Sequence, residues 1–508
     1  MMKVLKPIDT LLNSITMYRT VLYGLVIISV SAFLLGLLGI LQFSPLGLLQ
    51  TLGILLITCY LSNKLLAYAF HAVENAESWL ITALILFLLL APIAGVEDVF
   101  ATFLAGILAM SSKYFLAIKK KHIFNPAAVP AFLLGVLGFS NVLWWVGSKE
   151  LLIIITIVGL LIVRKLRRFH LFFSFLLTSV IMVILTGFEI GQSVQSSFVE
   201  AFVSWPIIFF ATIMLTEPLT TPPTKEKQIL YGAVVGLLFG ARFSFGPIYS
   251  TPQLALLLGN ILSYILSSKQ KLFLTLKDRL PMGADMYEFI FQPNMKLNFI
   301  PGQYLEWTLP NEKTDSRGNR RYFTIAASPT EAEIRLGVKI GGEHSRFKQM
   351  LLDMKKGDKI VAAQLAGDFT LPQDTTKKLV FIAGGIGVTP FRSIIKYLMD
   401  KKEKRDMVMF YTSVTPEGFV YRELFDSAES IGLKTHYLLT MPAEKVHKDW
   451  RGKVGYMTKE MVLAEVPDYK QRTFYLSGPS AMVDSYKELL FRMGVLPTSV
   501  VTDYFPGF

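Results

Sequence analysis

The sequence predicts a multi-span α-helical membrane domain (residues 1–268), then a small antiparallel β-barrel (269–375) and a parallel-sheet α/β domain (376–508). Three observations carry this. Apolar runs of membrane-crossing length dominate up to about Ser268, with charges mainly in the gaps. From about Leu272 to Pro372 short β-rich runs alternate with turns. From about Lys377 strand patterns alternate with helical ones, the signature of a parallel sheet. The mean hydropathy of +0.46 averages over this division.

Candidate spans run over residues 21–41, 48–62, 79–94, 99–117, 127–146, 151–163, 170–187, 200–215, 229–241 and 252–267. Several fall short of the roughly 20 residues that cross a hydrocarbon core, which predicts some broken or re-entrant helices. Lys3, Lys6, Arg19, Lys64, Lys113, Lys119–Lys121, Arg164–Arg168, Lys225, Lys227, Lys269 and Lys271 fall in alternate gaps. The other gaps hold Lys149 and Arg242 with Glu97, Asp98 and Glu189. By the positive-inside rule about ten crossings leave both chain ends in the cytoplasm of a multi-pass plasma-membrane protein. The formal net charge of +13 is thus topology signal in the first half, where 16 Lys and Arg face 10 acids. No nucleic-acid footprint follows from it. The single cysteine, Cys59, excludes an internal disulfide, a thiolate zinc site and a four-cysteine cluster, so no metal site is expected.

Two stretches interrupt the apolar runs. "HIFNPAAVPAFL" (122–133) places Asn125 as a helix N-cap with Pro126 at the first helical position. "FFATIMLTEPLTTPPT" (209–224) sets Thr216 and Glu217 before Pro218 at a span end. Both can be plain helix punctuation. A helix N-terminus near membrane depth can also receive an anionic or polar ligand.

Preceded by "ENAESWLITALILFLLLAP", these stretches keep an order that resembles two FMN-carrying membrane proteins. One is the B component of the sodium-pumping NADH:quinone oxidoreductase, and the other is the D component of the Rnf complex. The resemblance covers most of residues 60–260 and implies an electron-transfer membrane domain, with partner subunits or a homo-oligomer. Those proteins attach FMN to a threonine between the two motifs. Between Ala127 and Pro206 the sequence has no convincing counterpart. The expectation is therefore a second, noncovalent flavin (FMN or riboflavin) or a quinone, with Asn125, Thr216 and Glu217 among its contacts.

In the second half the strand candidates are "MYEFIFQP", "GQYLEWTLP", "RYFTIAASP", "EIRLGVKI" and "DKIVAAQLAGDFTL", spaced as in a small barrel. There follow "KLVFIA", a helix over 389–399, "DMVMFYT", a helix near 420–431, "THYLLT", "TFYLSG", a helix over 479–493, and "VVTDYF". The segment "FIAGGIGVTP" (381–390) reads as a buried strand entering a tight glycine turn able to hold a dinucleotide.

A barrel followed by such a domain resembles the ferredoxin–NADP reductase superfamily, and five motifs in order strengthen the likeness. "RYFT" fits the flavin signature. Arg321 would bind the FAD pyrophosphate, Phe323 would pack along the flavin, and Thr324 would sit near N5. Tyr322, Val338 and Lys339 would complete that surface. "GGEHSRF" resembles the second phosphate segment, with Gly342 and Ser345 as donors. In "GGIGVTP", Gly384, Gly385, Ile386, Gly387, Thr389 and Pro390 would cradle the nicotinamide dinucleotide. "SGPSAMV" contributes Ser477, Gly478, Pro479 and Met482. "DYFPGF" would put Phe505 against the flavin, with Asp503 nearby. Thr324, Ser477 and Asp503 are the catalytic candidates. After the second strand, "YTSVTPEG" lacks an arginine for a 2′-phosphate and has Glu417, which favours NADH over NADPH.

The expected activity is an NAD(P)H-dependent FAD oxidoreductase that passes electrons to a second redox group in or across the lipid bilayer. The final acceptor would be a small molecule or an extracytoplasmic flavoprotein. The alternatives are quinone reduction on the cytoplasmic side and a cation-pumping role in electron transport. A ferric-reductase reading needs paired haem ligands. The membrane half has only His71, His122 and His170, on different segments.

Overall fold

The computed structural model describes residues 7–9, 11, 12, 14–70, 76–118, 121–139, 142–267, 271–309, 319–342 and 344–503. The chain divides into two compact units, with the boundary between Ser268 and Lys269.

The first unit is helical: α1 (Met17–Leu37), α2 (Pro45–Ala69), α3 (Ala76–Leu89), α4 (Val96–Phe115), α5 (Ala128–Val136), α6 (Leu152–Leu166), α7 (Phe169–Glu189), α8 (Val194–Val203), α9 (Ile207–Phe209), α10 (Lys225–Gly240) and α11 (Pro252–Leu266). Among the described residues, α1, α2 and α7 are long and apolar enough to cross a membrane. A fourth span forms if α8 and the segment Ile207–Met214, bent by 61°, count as one. Against the ten crossings expected, three or four helices of the described residues have spanning length, and two of the expected runs are visibly interrupted. The run 127–146 is a helix only to Val136. Gly138 then takes a left-handed conformation (φ +83°), and the chain turns back so that the Trp145 indole donates to the carbonyls of Phe87 and Leu90 at the end of α3, both at 2.9 Å. The run 200–215 is broken, and its second half is π-helical over Phe210–Met214, a local irregularity common at functional sites. Small residues let helices touch. A Cβ on Gly106 of α4 would lie 2.1 Å from Thr58 Oγ1 of α2, the close approach that drives association where lipid and side chain are equally apolar.

The second unit begins with a six-stranded antiparallel sheet: β1 (Leu272–Gly283), β2 (Met286–Pro293), β3 (Tyr304–Thr308), β4 (Arg320–Thr324), β5 (Ile334–Lys339) and β6 (Lys359–Ala366), in the order β4-β3-β6-β1-β2-β5. Helix α12 (Arg346–Asp353) lies between β5 and β6. The Ala326 N–H donates to the Arg335 carbonyl at 2.9 Å, joining the segment after one edge strand to the other edge. Alternation buries Phe289, Phe291, Trp307, Leu336 and Ile360 in one core.

A parallel sheet follows: β7 (Leu379–Gly384), β8 (Met407–Ser413), β9 (Leu433–Leu439), β10 (Lys453–Val454), β11 (Thr473–Ser477) and β12 (Val500–Thr502). Its helices are α13 (Thr389–Lys401), α14 (Arg422–Ser427), α15 (Lys459–Glu465) and α16 (Ser480–Arg492). Every residue of β7 and β8 is buried, as expected when helices cover both faces. Phe391, Ile394, Ile395 and Leu398 of α13 pack on one face, and Val483, Tyr486 and Leu490 of α16 on the other.

Candidate active site

The parallel sheet has the order β10-β9-β8-β7-β11-β12. Successive strands step outward from β7 to β10, and the chain then returns to β7's other side. Such a reversal opens a crevice at the strands' carboxyl ends, where open α/β sheets receive ligands. The two loops there are those read from the sequence. A Cβ on Gly387 would lie 2.5 Å from Gly478 Cα, and one on Gly384 would lie 2.4 Å from Met482 Sδ. Glycine therefore lets the two loops meet at backbone distance. Gly385 has φ +51°, a conformation that β-branched residues avoid. Thr389 and Pro390 begin α13 immediately after the turn Gly385–Val388, where the Thr389 N–H donates to the Ile386 carbonyl, so the positive end of the helix adjoins the glycine loop. Ile386 and Thr389 also abut β5: a Cβ on Gly337 would lie 3.3 Å from Ile386 Cδ1 and 2.6 Å from Thr389 Cγ2.

The three catalytic candidates come together. The Thr324 hydroxyl donates to Asp503 Oδ2 at 3.4 Å, and the Ser477 hydroxyl donates to the same oxygen at 3.2 Å. Thr324 and Ser477 are both buried. Asp503 is held by its own N–H, which donates to the Leu476 carbonyl at 3.0 Å. One carboxylate thus joins the end of β4 to the end of β11.

Along β4 the alternation puts Arg321 and Phe323 on one face, with Tyr322 and Thr324 on the other. The Tyr322 hydroxyl donates to Glu306 Oε2 at 3.0 Å. The Arg321 guanidinium lies 5.3 Å from the Phe347 ring centre, and the Phe323 ring is 5.8 Å from the same ring. Phe347 belongs to the first turn of α12, which Ser345 caps by accepting the Lys348 N–H at 3.4 Å. Arg321, Ser345 and the α12 N-terminus therefore form one locality, a donor set suited to a pyrophosphate. Gly342 has φ +57° at its edge. Val338 is a core residue of β5, and Lys339 beside it is exposed. Phe505 lies outside the described residues.

Sequence reasoning missed the polar seam between the two sheets. Arg392, on α13, pairs with Glu331 and donates to the Ala326 carbonyl at 3.0 Å. Ser393 donates to the Ala327 carbonyl at 2.6 Å. The Tyr421 hydroxyl donates to Glu288 Oε1 at 2.8 Å, and Arg335 reaches Glu288 Oε2 at 2.7 Å. Burial alone pushes the Glu331 carboxyl up. The hydrogen bond and charge of Arg392, the Ser328 N–H and the charge of Arg335 outweigh it and leave the pKa lowered. A separate cavity of about 870 Å³ lies behind this seam, lined by Phe299, Glu331, Ile394 and Tyr397 among others. None of the flavin or dinucleotide candidates lines it.

In the helical unit the two motif stretches also meet. Asn125 Nδ2 donates to Glu217 Oε2 at 2.9 Å, and the Thr220 hydroxyl donates to the same oxygen at 3.1 Å. Asn125 Oδ1 accepts the N–H groups of Ala127 and Ala128 at 3.0 and 3.1 Å. It therefore caps a helix that starts two residues beyond Pro126. Thr216 turns its hydroxyl onto the Thr212 carbonyl at 2.7 Å, and its own carbonyl accepts from Arg168 at 3.0 Å. Asn260 accepts the Asn125 N–H at 2.8 Å and donates to the Tyr231 hydroxyl at 3.3 Å. Asn260, a polar residue inside the apolar α11, was a legible signal. Arg168 was not, because a count of flanking cations cannot say which one turns inward.

The C-terminal unit, with its glycine crevice beside an R-x-aromatic-T strand, is an FAD- and NAD-binding oxidoreductase module of ferredoxin-reductase type. Residues 381–488 match the oxidoreductase NAD-binding domain, and residues 109–272 match the NQR2, RnfD, RnfE family, so the chain carries both domains. A flavohemoprotein of Bacillus thuringiensis is 25% identical over 216 residues, 41% of this chain and 53% of its own length. The F component of the Na(+)-translocating NADH-quinone reductase of Methylococcus capsulatus is 29% identical over 161 residues, 31% of this chain and 39% of its own. The chain spans about half the length of the first curated relatives it matches. A solved cytochrome P450 reductase of Amycolatopsis is similar with a TM-score of 0.41 at 22% identity, covering 46% of this chain and 70% of that one.

Proposed function

We propose that this protein is a membrane oxidoreductase that accepts a hydride from NADH in its C-terminal unit and passes the electrons to a second redox group in its helical unit. The observation that carries the reading is the Asp503 carboxylate, which receives the hydroxyls of both Thr324 and Ser477 and so joins the flavin strand to the crevice of the dinucleotide loops. FAD, when bound, supplies the step from a two-electron donor to one-electron carriers. Arg321 and the N-terminus of α12 bind its pyrophosphate. The glycines of 384–387 and Gly478 let backbone N–H groups reach the dinucleotide. Asp503 fixes the two hydroxyls so that they present oriented dipoles.

The second group is a noncovalent flavin or a quinone held near Asn125, Thr216 and Glu217. The support is the contact between the two motif stretches. A hydrocarbon core of about 30 Å is thick for one rapid electron step, so a transmembrane route needs an intermediate carrier. Both chain ends and the reductase unit lie on the cytoplasmic side, where NADH is held. The test is flavin extraction and anaerobic reduction of the purified protein. The reading expects FAD with a further flavin or quinone, and faster reduction by NADH than by NADPH. Protein without FAD, or with a clear NADPH preference, would overturn the corresponding part.

A further inference from the structure

The dinucleotide loop and the flavin strand belong to different sheets, yet hydride transfer demands that the reacting atoms of their ligands be held about 3–3.5 Å apart, with errors well under an ångström. Something must fix one sheet on the other. The segment after Thr324 runs Ile325–Ala326–Ala327–Ser328, all fully or almost fully buried. Its carbonyls at Ala326 and Ala327 accept from Arg392 (3.0 Å) and Ser393 (2.6 Å), both one turn into the helix that starts at Thr389. Arg392 is only 7% exposed and grips Glu331 with two nitrogens. Glu331 is fixed in turn by the Ser328 N–H at 2.6 Å and by Arg335 at 3.2 Å. The bonds thus run from the flavin strand's exit to the first turns behind the dinucleotide loop. A planar, two-pronged guanidinium holds direction as well as distance, which a lysine cannot.

We propose that Arg392, clasped to Glu331 and assisted by Ser393, is a positioning residue that sets the alignment of the dinucleotide loop on the Thr324 end of the flavin strand. The proposal rests on the NADH-to-FAD reading above. It predicts that loosening this clasp slows hydride transfer without emptying either binding site.

The experiment is anaerobic stopped-flow reduction of the full chain by NADH and by 4-deuterated NADH. FAD per chain and melting temperature are measured in parallel. The variants are Arg392→Lys, Ser393→Ala and the double variant Arg392→Met/Glu331→Gln. The last removes both charges together, so no lone buried charge is left to unfold the unit. The expected result is retained FAD, an unchanged half-saturating NADH concentration, and a limiting rate lower by on the order of ten- to a hundredfold in the double variant. Arg392→Lys should fall between it and the wild type, with the full deuterium effect exposed. Wild-type limiting rates in FAD-loaded variants would overturn the proposal. Loss of FAD in step with loss of rate would also overturn it, marking the clasp as merely structural. A wild-type chain that binds FAD but is not reduced by NADH would instead overturn the underlying reading.

Discussion

The two polar centres of this protein are built on opposite principles. In the reductase unit the groups stand at strand ends, where Gly384 and Gly387 let the two loops approach Met482 and Gly478 closely. In the helical unit the groups are knit to one another: Asn125 alone uses its Oδ1 for a helix cap, its Nδ2 for Glu217 and its N–H for Asn260. The solvent explains the contrast. Water can satisfy a strand end until a ligand replaces it, whereas Asn125, Thr216 and Asn260 are buried among apolar helices, where every polar group must find a partner inside. A crevice therefore speaks directly of a ligand. A polar knot buried among apolar helices speaks first of folding cost and only then of function.

Substitutions in the two centres should have different consequences. The largest effect is expected at Arg321. Arg321→Ala should purify with little FAD and lose NADH oxidation, while the helical unit keeps its helical signal. Full flavin occupancy, read from the extracted absorbance, would remove the pyrophosphate role. Next comes Gly385→Val, where a β-branched residue is forced to φ +51° at a cost of about 1–3 kcal/mol. The half-saturating NADH concentration should rise on the order of tenfold with FAD retained; an unchanged value would mean that the loop does not approach the dinucleotide.

The knot should behave differently. Asn125→Ala removes a helix cap and one donor to Glu217 at once, so the helical unit should lose about 1–3 kcal/mol. NADH should still reduce FAD at the wild-type rate, and only electron delivery onward should slow. Slowed FAD reduction would mean the two centres are not separable in this way. The smallest effect concerns pH. Because the Glu331 pKa is lowered in the folded state, its contribution to stability is full above the ordinary glutamate range. It is lost as pH falls through the lowered folded value. Melting of the Glu331→Gln variant should therefore depend less on pH than the wild type below about pH 4. Parallel curves would show that Glu331 does not carry the acid sensitivity.

Much of the reductase unit was legible because its signals are local. The run "MYEFIFQP" coincides with Met286–Pro293, and the glycine loops fell where the strands end. What failed to show was either short or tertiary. Strand β1 hid because Lys277, Asp278, Arg279 and Pro281 break its alternation, and its ladder carries register shifts at those places. Helix α12 has eight residues and buries only Phe347 and Leu351, too few for a 3.6-residue period to declare itself. The Arg392 clasp was invisible because "GVTPFRS" announces a helix start and says nothing of what its arginine will grip across two sheets. In the helical unit, the early end of α5 is written in Gly138 but enforced by Trp145 binding another helix's carbonyls.

The central claim is that electrons taken from NADH do not stop at FAD but continue to a group in the helical unit. An anaerobic titration of the purified full chain with NADH, followed by absorbance and by quantified cofactor extraction, tests it most directly. The account predicts that more than one two-electron equivalent is consumed per FAD before free NADH accumulates, with the excess taken up more slowly in the Asn125→Ala variant. Saturation at one equivalent per FAD, with no second flavin or quinone released on denaturation, would contradict it.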